Sequence, residues 1–103
     1  MRLDPAEAID AWLVQMEPLF ARSLFMPGFG NHEIALGEHF EDWAPRLVLP
    51  KGQAEGRSHS FDLGAAHFCA LFAPGRLPER PHLDWLERDL AAARERGASW
   101  LIV

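Results

Sequence analysis

Residues 57–72 read RSHSFDLGAAHFCALF, and this stretch decides the fold. Two runs, residues 57–62 and residues 66–72, have the length of strands. Leu63-Gly64-Ala65 joins them, and a glycine in such a short link favours a tight turn. The pattern therefore predicts a β-hairpin in the second half of the chain.

A helix is predicted near the start of the chain. Residues 4–7 read DPAE, which places an N-cap aspartate, a proline at the first helical position and a glutamate at the third. Apolar side chains then recur at spacings of three and four along residues 9–20. Because Pro18 falls inside this pattern, we expect a kink or an end near Glu17 and a short continuation to residue 22.

A second helix is predicted to begin near Pro81. Its apolar residues share one face, and they are Leu83, Leu86, Leu90 and Ala93. Gly97 follows the pattern, as expected of a residue that ends a helix. The apolar face is expected to be the buried one.

Two short apolar runs are expected to be strands. Residues 24–26 lead towards Gly30, and residues 100–103 read WLIV, a continuous apolar run typical of a central strand buried on both faces. The sequence from residue 34 to 56 is irregular and predicts a covering loop with one helical turn at residues 39–43. The order of helix, strand, hairpin, helix and strand indicates a layered α/β fold in one domain.

The tetrapeptide Gly30-Asn31-His32-Glu33 carries the densest chemistry in the chain. The Asn31 carbonyl can bind a cation without adding charge, His32 can donate a proton to a leaving oxygen, and Glu33 can orient that imidazole. A tight turn in which Asn31 and His32 cap backbone groups explains the same residues. The four residues alone leave both interpretations open.

Composition excludes some classes of function. The formal net charge is −5 and the isoelectric point is near 5.4, so the chain shows no electrostatic footprint for nucleic acid or for an anionic membrane. No apolar run approaches the roughly 18 residues that a membrane-spanning helix needs. The single cysteine, Cys69, lies in an apolar run and is expected to be buried and inert.

Several blocks together resemble a known family. Gly30-Asn31-His32-Glu33, the segment 60–71 with its Ser-Phe-Asp-x-Gly-x-x-His-Phe pattern, the LDWLERDL of residues 83–90 and the terminal WLIV follow in order along the chain. This series is similar to the middle of a calcineurin-like metallophosphoesterase, in the purple acid phosphatase branch. The resemblance implies that residues 1–103 are part of an α/β/β/α sandwich, with the family's other metal-binding motifs before Met1 and after Val103.

The resemblance also implies roles for the tetrapeptide. Asn31 is expected to bind one metal of a dinuclear centre, an iron paired with iron, zinc or manganese. His32 is expected to be catalytic and to contact the substrate phosphate, while Glu33 orients it without touching the metal. The substrate of the intact enzyme is expected to be a phosphate monoester. Because most of the metal ligands are missing, the chain alone is expected to be inactive and to retain no dinuclear centre. Added zinc, manganese or iron is not expected to raise its melting temperature by specific binding, and a stabilisation that depends on Asn31 would contradict this.

The remaining polar residues have structural explanations. His67 is expected to be a hydrogen-bonded core histidine, His59 to serve packing or a loop, and Asp62 to form a turn. His82 is expected to cap a helix or to be exposed, and His39 to lie on a solvated helical turn. Three of the four tryptophans, Trp12, Trp85 and Trp100, are expected to belong to the core.

Two alternatives remain beside the phosphoesterase hypothesis. The chain could be a degenerate binding or assembly module whose strands at residues 24–26 and 100–103 pair with another chain. It could also be one part of a split phosphoesterase, with the missing motifs on a partner.

Overall fold

The computed structural model describes residues 4–31, 39–75 and 77–103. The described residues form three helices and one mixed sheet of four strands, so the predicted partial α/β fold is confirmed. The elements in chain order are α1 (Pro5–Phe20), α2 (Phe40–Trp43), β1 (Gly52–Gln53), β2 (Ser58–Leu63), β3 (Ala66–Ala70), α3 (Arg80–Glu95) and β4 (Trp100–Ile102), with short 3-10 turns at Ala44–Arg46 and Ala54–Gly56.

The sheet follows the order of the chain, β1-β2-β3-β4. Strand β2 is antiparallel to both β1 and β3, and β4 is parallel to β3. The hairpin of β2 and β3 confirms the prediction, and Gly64 takes a φ of +59° in its turn. Strand β1 was not predicted, because two residues between a loop and a turn carry no periodic signal.

Helix α1 begins as predicted. The Asp4 carboxylate accepts a hydrogen bond from the Glu7 backbone at 2.8 Å, and the Glu7 carboxylate accepts one from the Asp4 backbone at 3.3 Å. The helix then continues through Pro18 to Phe20, so an end near Glu17 is wrong, while the kink expected as the alternative stays a prediction. Proline removes one backbone donor, and this loss is tolerated here because the helix ends two residues later.

The expected strand at residues 24–26 is wrong. This segment has no strand partner among the described residues. Side-chain packing fixes it, because the Phe25 ring stacks on Phe20 with centroids 4.3 Å apart and lies 5.9 Å from Trp12. Aromatic contacts with α1 therefore replace the ladder hydrogen bonds that a strand needs.

The inward face of helix α3 overlaps the predicted one, because Ala93 is buried and Leu86 and Leu90 are partly buried, as expected. His82 and Ala93 are its buried residues, while Leu83 is 38% exposed. The expectation that His82 caps the helix or is exposed is therefore wrong. Apolar periodicity misses the polar part of this face, where His82 and Asp89 find partners on the sheet.

Strand β4 lies at the edge of the described sheet. Its residues alternate between partly buried and exposed, and Trp100 remains 67% exposed. The expectation of burial on both faces is wrong for the described residues, as is the core position of Trp100. The physical reason is that β4 has one neighbouring strand here and no described helix opposite its outer face.

The interior has an apolar part and a polar part. Phe29, Phe40 and Phe72 form a buried aromatic cluster beside Trp43. The polar part lies on the strands of the hairpin, where the largest fully buried side chains of the described residues are His59, His67 and Ser58. No described helix is long and apolar enough to cross a membrane.

Candidate functional site

Asn31 lies at the end of an extended segment that a buried ring anchors. Phe29 is 5% exposed and meets Phe40 edge to face, with ring centroids 5.1 Å apart. Two residues later Asn31 is exposed. The chain is therefore fixed immediately before this amide, which is presented to solvent. His32 and Glu33 lie outside the described residues.

A second polar site lies between the hairpin and α3, centred on His67. His67 is 1% exposed, and its Nδ1 lies 2.7 Å from the Asp62 carboxylate. Its Nε2 lies 2.7 Å from Oδ2 of Asp89 on α3. Because ionised carboxylates only accept hydrogen bonds, both ring nitrogens donate, and the ring is an imidazolium. The predicted core histidine is confirmed, whereas Asp62 does more than form a turn.

Two further side chains complete this cluster at Asp89. Ser60 donates to Oδ1 of Asp89 at 2.9 Å, and the Cys69 thiol donates to Oδ2 at 3.3 Å. Ser60 and Cys69 are directly opposite each other in the hairpin, as are Asp62 and His67. The register of the hairpin therefore places four polar side chains on the face that α3 covers.

The electrostatics of the cluster follow from burial and from its hydrogen bonds. Burial lowers the pKa of His67, but the hydrogen bonds to Asp89 and Asp62 outweigh burial, so this pKa lies above its ordinary value. Burial raises the pKa of Asp89, and bonds from His67, Cys69 and Ser60 bring it below its ordinary value. Burial and the neighbouring Asp89 charge raise the pKa of the Cys69 thiol to about 12. The expected buried, inert thiol is confirmed.

A separate buried pair joins β2 to the start of α3. Ser58 Oγ accepts the Phe72 backbone N–H at 2.8 Å and lies 2.7 Å from Nδ1 of His82. Since Oγ accepts from Phe72, we assign its own proton to the bond with His82. Burial lowers the pKa of His82, which keeps the ring neutral and able to accept this bond. Both side chains lie away from solvent and act as structural links.

His59 occupies the packing position that was predicted for it. The ring is fully buried, and its Nδ1 lies 3.1 Å from the Gly56 carbonyl, so Nδ1 carries the proton. Nε2 has no hydrogen-bond partner among the described residues. His39, as expected, is exposed, at the start of α2.

A cleft of about 670 Å³ opens between α1 and residues 25–29. Its walls are apolar and include Ile9, Trp12, Phe25 and Trp43. None of the described residues that line it is titratable, so this part of the cleft offers no acid, base or charged ligand for chemistry.

Two places in the described chain could contact a metal. Asn31 offers one neutral oxygen from an exposed position, and a single neutral ligand does not hold a cation against water. The described residues at this turn therefore do not fit a dinuclear centre on their own. The other place is the cluster of His67, Cys69 and Asp89, whose ligand atoms all lie within 4.8 Å of one another. The hydrogen bonds of this cluster run among β2, β3 and α3.

Sequence reasoning had passed over part of the second site. His67 and Asp62 were weighed as separate structural residues, and Asp89 was not singled out. One usable signal was the placement of Asp89 seven residues after His82, which puts both on one side of a helix. The cross-strand pairing that joins them to the hairpin depends on contacts distant in sequence.

Comparisons with known proteins identify relatives of the chain. It is 33% identical over 100 residues to purple acid phosphatase 23 of Arabidopsis thaliana, an alignment that covers 90% of this chain and 22% of that protein. It is 32% identical to acid phosphatase type 7 of Homo sapiens, over 96% of this chain and 24% of the relative. The mouse protein of the same name is 31% identical over 99% of this chain and 25% of its own length.

The chain thus spans about a quarter of the length of the curated relatives it matches. No protein-family model matches it, and no solved structure does. The matches nevertheless cover nearly all of this chain and confirm the resemblance that its motifs indicated. The chain belongs to the purple acid phosphatase family and matches an internal part of these relatives.

Proposed function

We propose that this chain is the middle segment of a calcineurin-like, metal-dependent acid phosphatase that hydrolyses phosphate monoesters through a dinuclear metal centre. The observation that carries the proposal is the match to three acid phosphatases over 90–99% of the chain. The fixed and exposed position of Asn31 after the buried Phe29 supports it, because a metal ligand must be both held and accessible.

In this proposal the tetrapeptide supplies one edge of the active site. Asn31 binds one metal through its amide oxygen, His32 contacts the phosphate and donates a proton to the leaving oxygen, and Glu33 orients His32. When bound, two metal ions clamp the phosphoryl group and lower the pKa of a bound water. Iron paired with iron, zinc or manganese suits the family that the chain resembles.

The isolated chain is proposed to be inactive. Catalysis of this kind depends on preorganised charge, and here the charge comes from metals that need several ligands. Asn31 is the described residue that the family resemblance assigns to a metal, and it is neutral. The described residues at this turn therefore offer no cluster of positive charge that could bind a phosphate monoester.

The test begins with the DNA on both sides of the reading frame. If the frame continues, the extended protein should hydrolyse p-nitrophenyl phosphate at acidic pH. Asn31→Ala should then lower kcat at least about 100-fold, because it removes a ligand of the metal that stabilises the charge of the transition state. Gln15→Ala, at an exposed amide on α1, is the matched control. An extended protein that folds and shows no phosphatase activity, or one unaffected by Asn31→Ala, contradicts the proposal.

A second candidate function is an assembly module. Its supporting observation is the apolar surface on the sheet, where Leu63 is 60% exposed, Trp100 67% and Ile102 43%. The outer edge of β4 has no partner strand among the described residues, so these side chains and that edge offer a place for another chain to bind. A monodisperse oligomer in size-exclusion chromatography with light scattering favours the module, and a heterogeneous aggregate favours the enzyme fragment.

A further inference from the structure

The cluster of His67, Cys69 and Asp89 takes no part in the proposed phosphatase site, yet it collects three different ligand types. His67 and Cys69 are two residues apart on β3 and project from the same face, and Asp89 reaches them from α3. Nε2 of His67, Sγ of Cys69 and an oxygen of Asp89 all lie within 4.8 Å of one another.

Two protons hold these three groups together. Oδ2 of Asp89 accepts one hydrogen bond from Nε2 of His67 and another from the Cys69 thiol, at 2.7 Å and 3.3 Å. A divalent cation could replace the proton on Nε2 of His67 and the proton of the Cys69 thiol. It would bring two positive charges in exchange for the two that leave, so the net charge of the cluster would not change. Metal binding to such ligands releases protons in the same way. The exchange therefore leaves no uncompensated buried charge.

We propose that His67, Cys69 and Asp89 bind a zinc ion through Nε2, Sγ and Oδ2. A thiolate, an imidazole and a carboxylate suit zinc, whereas magnesium and calcium prefer oxygen ligands alone. Zinc bonds of 2.0–2.3 Å need ligand atoms about 3.3 Å apart, so His67 and Asp89 separate by about 0.6 Å on binding. Three protein ligands leave a fourth position for water.

The surroundings already orient the ligands. Asp62 accepts the hydrogen bond from Nδ1 of His67, which leaves Nε2 to face the metal once its proton has gone. Ser60 donates to Oδ1 of Asp89, which leaves Oδ2 to bind the metal. Ligating histidines in zinc sites commonly donate their other nitrogen to a carboxylate in this way. The structure thus provides both the ligands and the groups that hold them.

The test uses the whole chain, purified in the presence of a chelator and then dialysed against metal-free buffer. Cobalt(II) is added as a spectroscopic probe, and zinc as the competitor. We expect binding of one cobalt per chain, a thiolate-to-cobalt absorption band in the near ultraviolet, and its loss when zinc is added. Because Cys69 is the single cysteine, this band assigns the ligand without any variant. Saturable binding of cobalt without a thiolate-to-cobalt band overturns the proposal.

Variants then locate the site. Cys69→Ser and Asp89→Asn should abolish the band, and Asp62→Asn should weaken binding about tenfold, as for other groups that orient a metal ligand. His39→Ala, at an exposed imidazole, is the control and should leave the affinity unchanged. Zinc should raise the unfolding temperature of the unmodified chain and not that of Cys69→Ser.

A last comparison separates this site from the phosphatase centre. Stabilisation by zinc that survives Asn31→Ala and disappears in Cys69→Ser supports the cluster. Stabilisation that depends on Asn31 instead contradicts it and favours a metal at the tetrapeptide. Weak, non-saturating binding that His39→Ala reduces means adventitious metal only and also overturns the proposal.

Discussion

Nε2 of His67 lies 2.7 Å from Oδ2 of Asp89, and this bond joins the hairpin to helix α3. The two residues are 22 positions apart, and His67 is almost completely buried. A buried ion pair of this kind is costly to break from one side, because the remaining charge has left water and lost its partner. The attachment of α3 to the sheet therefore depends on a polar contact as well as on apolar burial.

Asp89→Asn should destabilise the chain by about 2–3 kcal/mol, because the imidazolium of His67 loses one of its two carboxylates and the Cys69 thiol loses a charged acceptor. Urea unfolding in the presence of a chelator measures the change. Asp84→Asn is the matched control on the same helix. Its carboxylate pairs with the exposed Arg80, so the loss there should be less than about 0.5 kcal/mol. An equal loss of unfolding free energy in the two variants would show that the contact between Asp89 and His67 does not stabilise the fold.

Ser58→Ala should cost about 2–3 kcal/mol, because it leaves both the Phe72 backbone N–H and Nδ1 of His82 without a partner inside the protein. Ser60→Ala is the comparison, since Ser60 makes one bond in a partly buried position. The free energy of unfolding of both variants should be measured in the same buffer. A smaller loss for Ser58→Ala than for Ser60→Ala would contradict the assigned links.

The contribution of His82 to stability should fall as the pH drops below about 6.5. Burial lowers the pKa of His82 from its ordinary value of 6.5; the nearby Glu79 charge raises it and Arg57 lowers it. As the pH falls, the unfolded chain takes up a proton first, so protonation favours unfolding. Above pH 6.5 the ring is neutral in both states, and the effect vanishes.

His82→Gln provides the control for this pH dependence. It removes the titrating group, and its amide can still accept from Ser58. The difference in urea midpoint between the unmodified chain and His82→Gln should therefore shrink or change sign between pH 7.5 and pH 5. A constant difference across this range would mean that His82 does not titrate with a lowered pKa.

Gly97→Ala should destabilise the chain by about 1 kcal/mol. Gly97 follows α3 with a φ of +93°, a conformation that an L side chain adopts only with strain. Gly28→Ala is the control, because an added Cβ there meets nothing within 4 Å. Thermal unfolding of the two variants gives the comparison. A Gly97→Ala variant as stable as Gly28→Ala would rule out the strain.

Phe29→Ala should cost about 3 kcal/mol or more, because it opens a cavity against Phe40 and Trp43. Leu24→Ala, at a side chain that is 72% exposed, should change stability by less than about 0.5 kcal/mol. Denaturant unfolding measures both losses. If Phe29→Ala proves as mild as Leu24→Ala, the buried anchor before Asn31 is not a stabilising element.

Local rules explain what could be predicted. The capping box at Asp4 and Glu7, the turn at Gly64 and the stop at Gly97 each depend on neighbours within a few residues, and the structure has all of them. The strand expected at residues 24–26 failed for the opposite reason. A strand requires a partner, and the apolar side chain of Phe25 found one in α1 instead.

The sequence by itself determined the helix start at Asp4, the hairpin, and the family to which the motifs belong, since each follows from short-range patterns. Which polar side chains of α3 turn inward depends instead on the tertiary structure. His82 and Asp89 look like surface residues in the sequence and become interior ones because Ser58, Ser60 and His67 meet them across the sheet. Pairing between polar groups more than 20 residues apart leaves no periodic trace, because its stability comes from desolvated contacts that exist only in the folded chain.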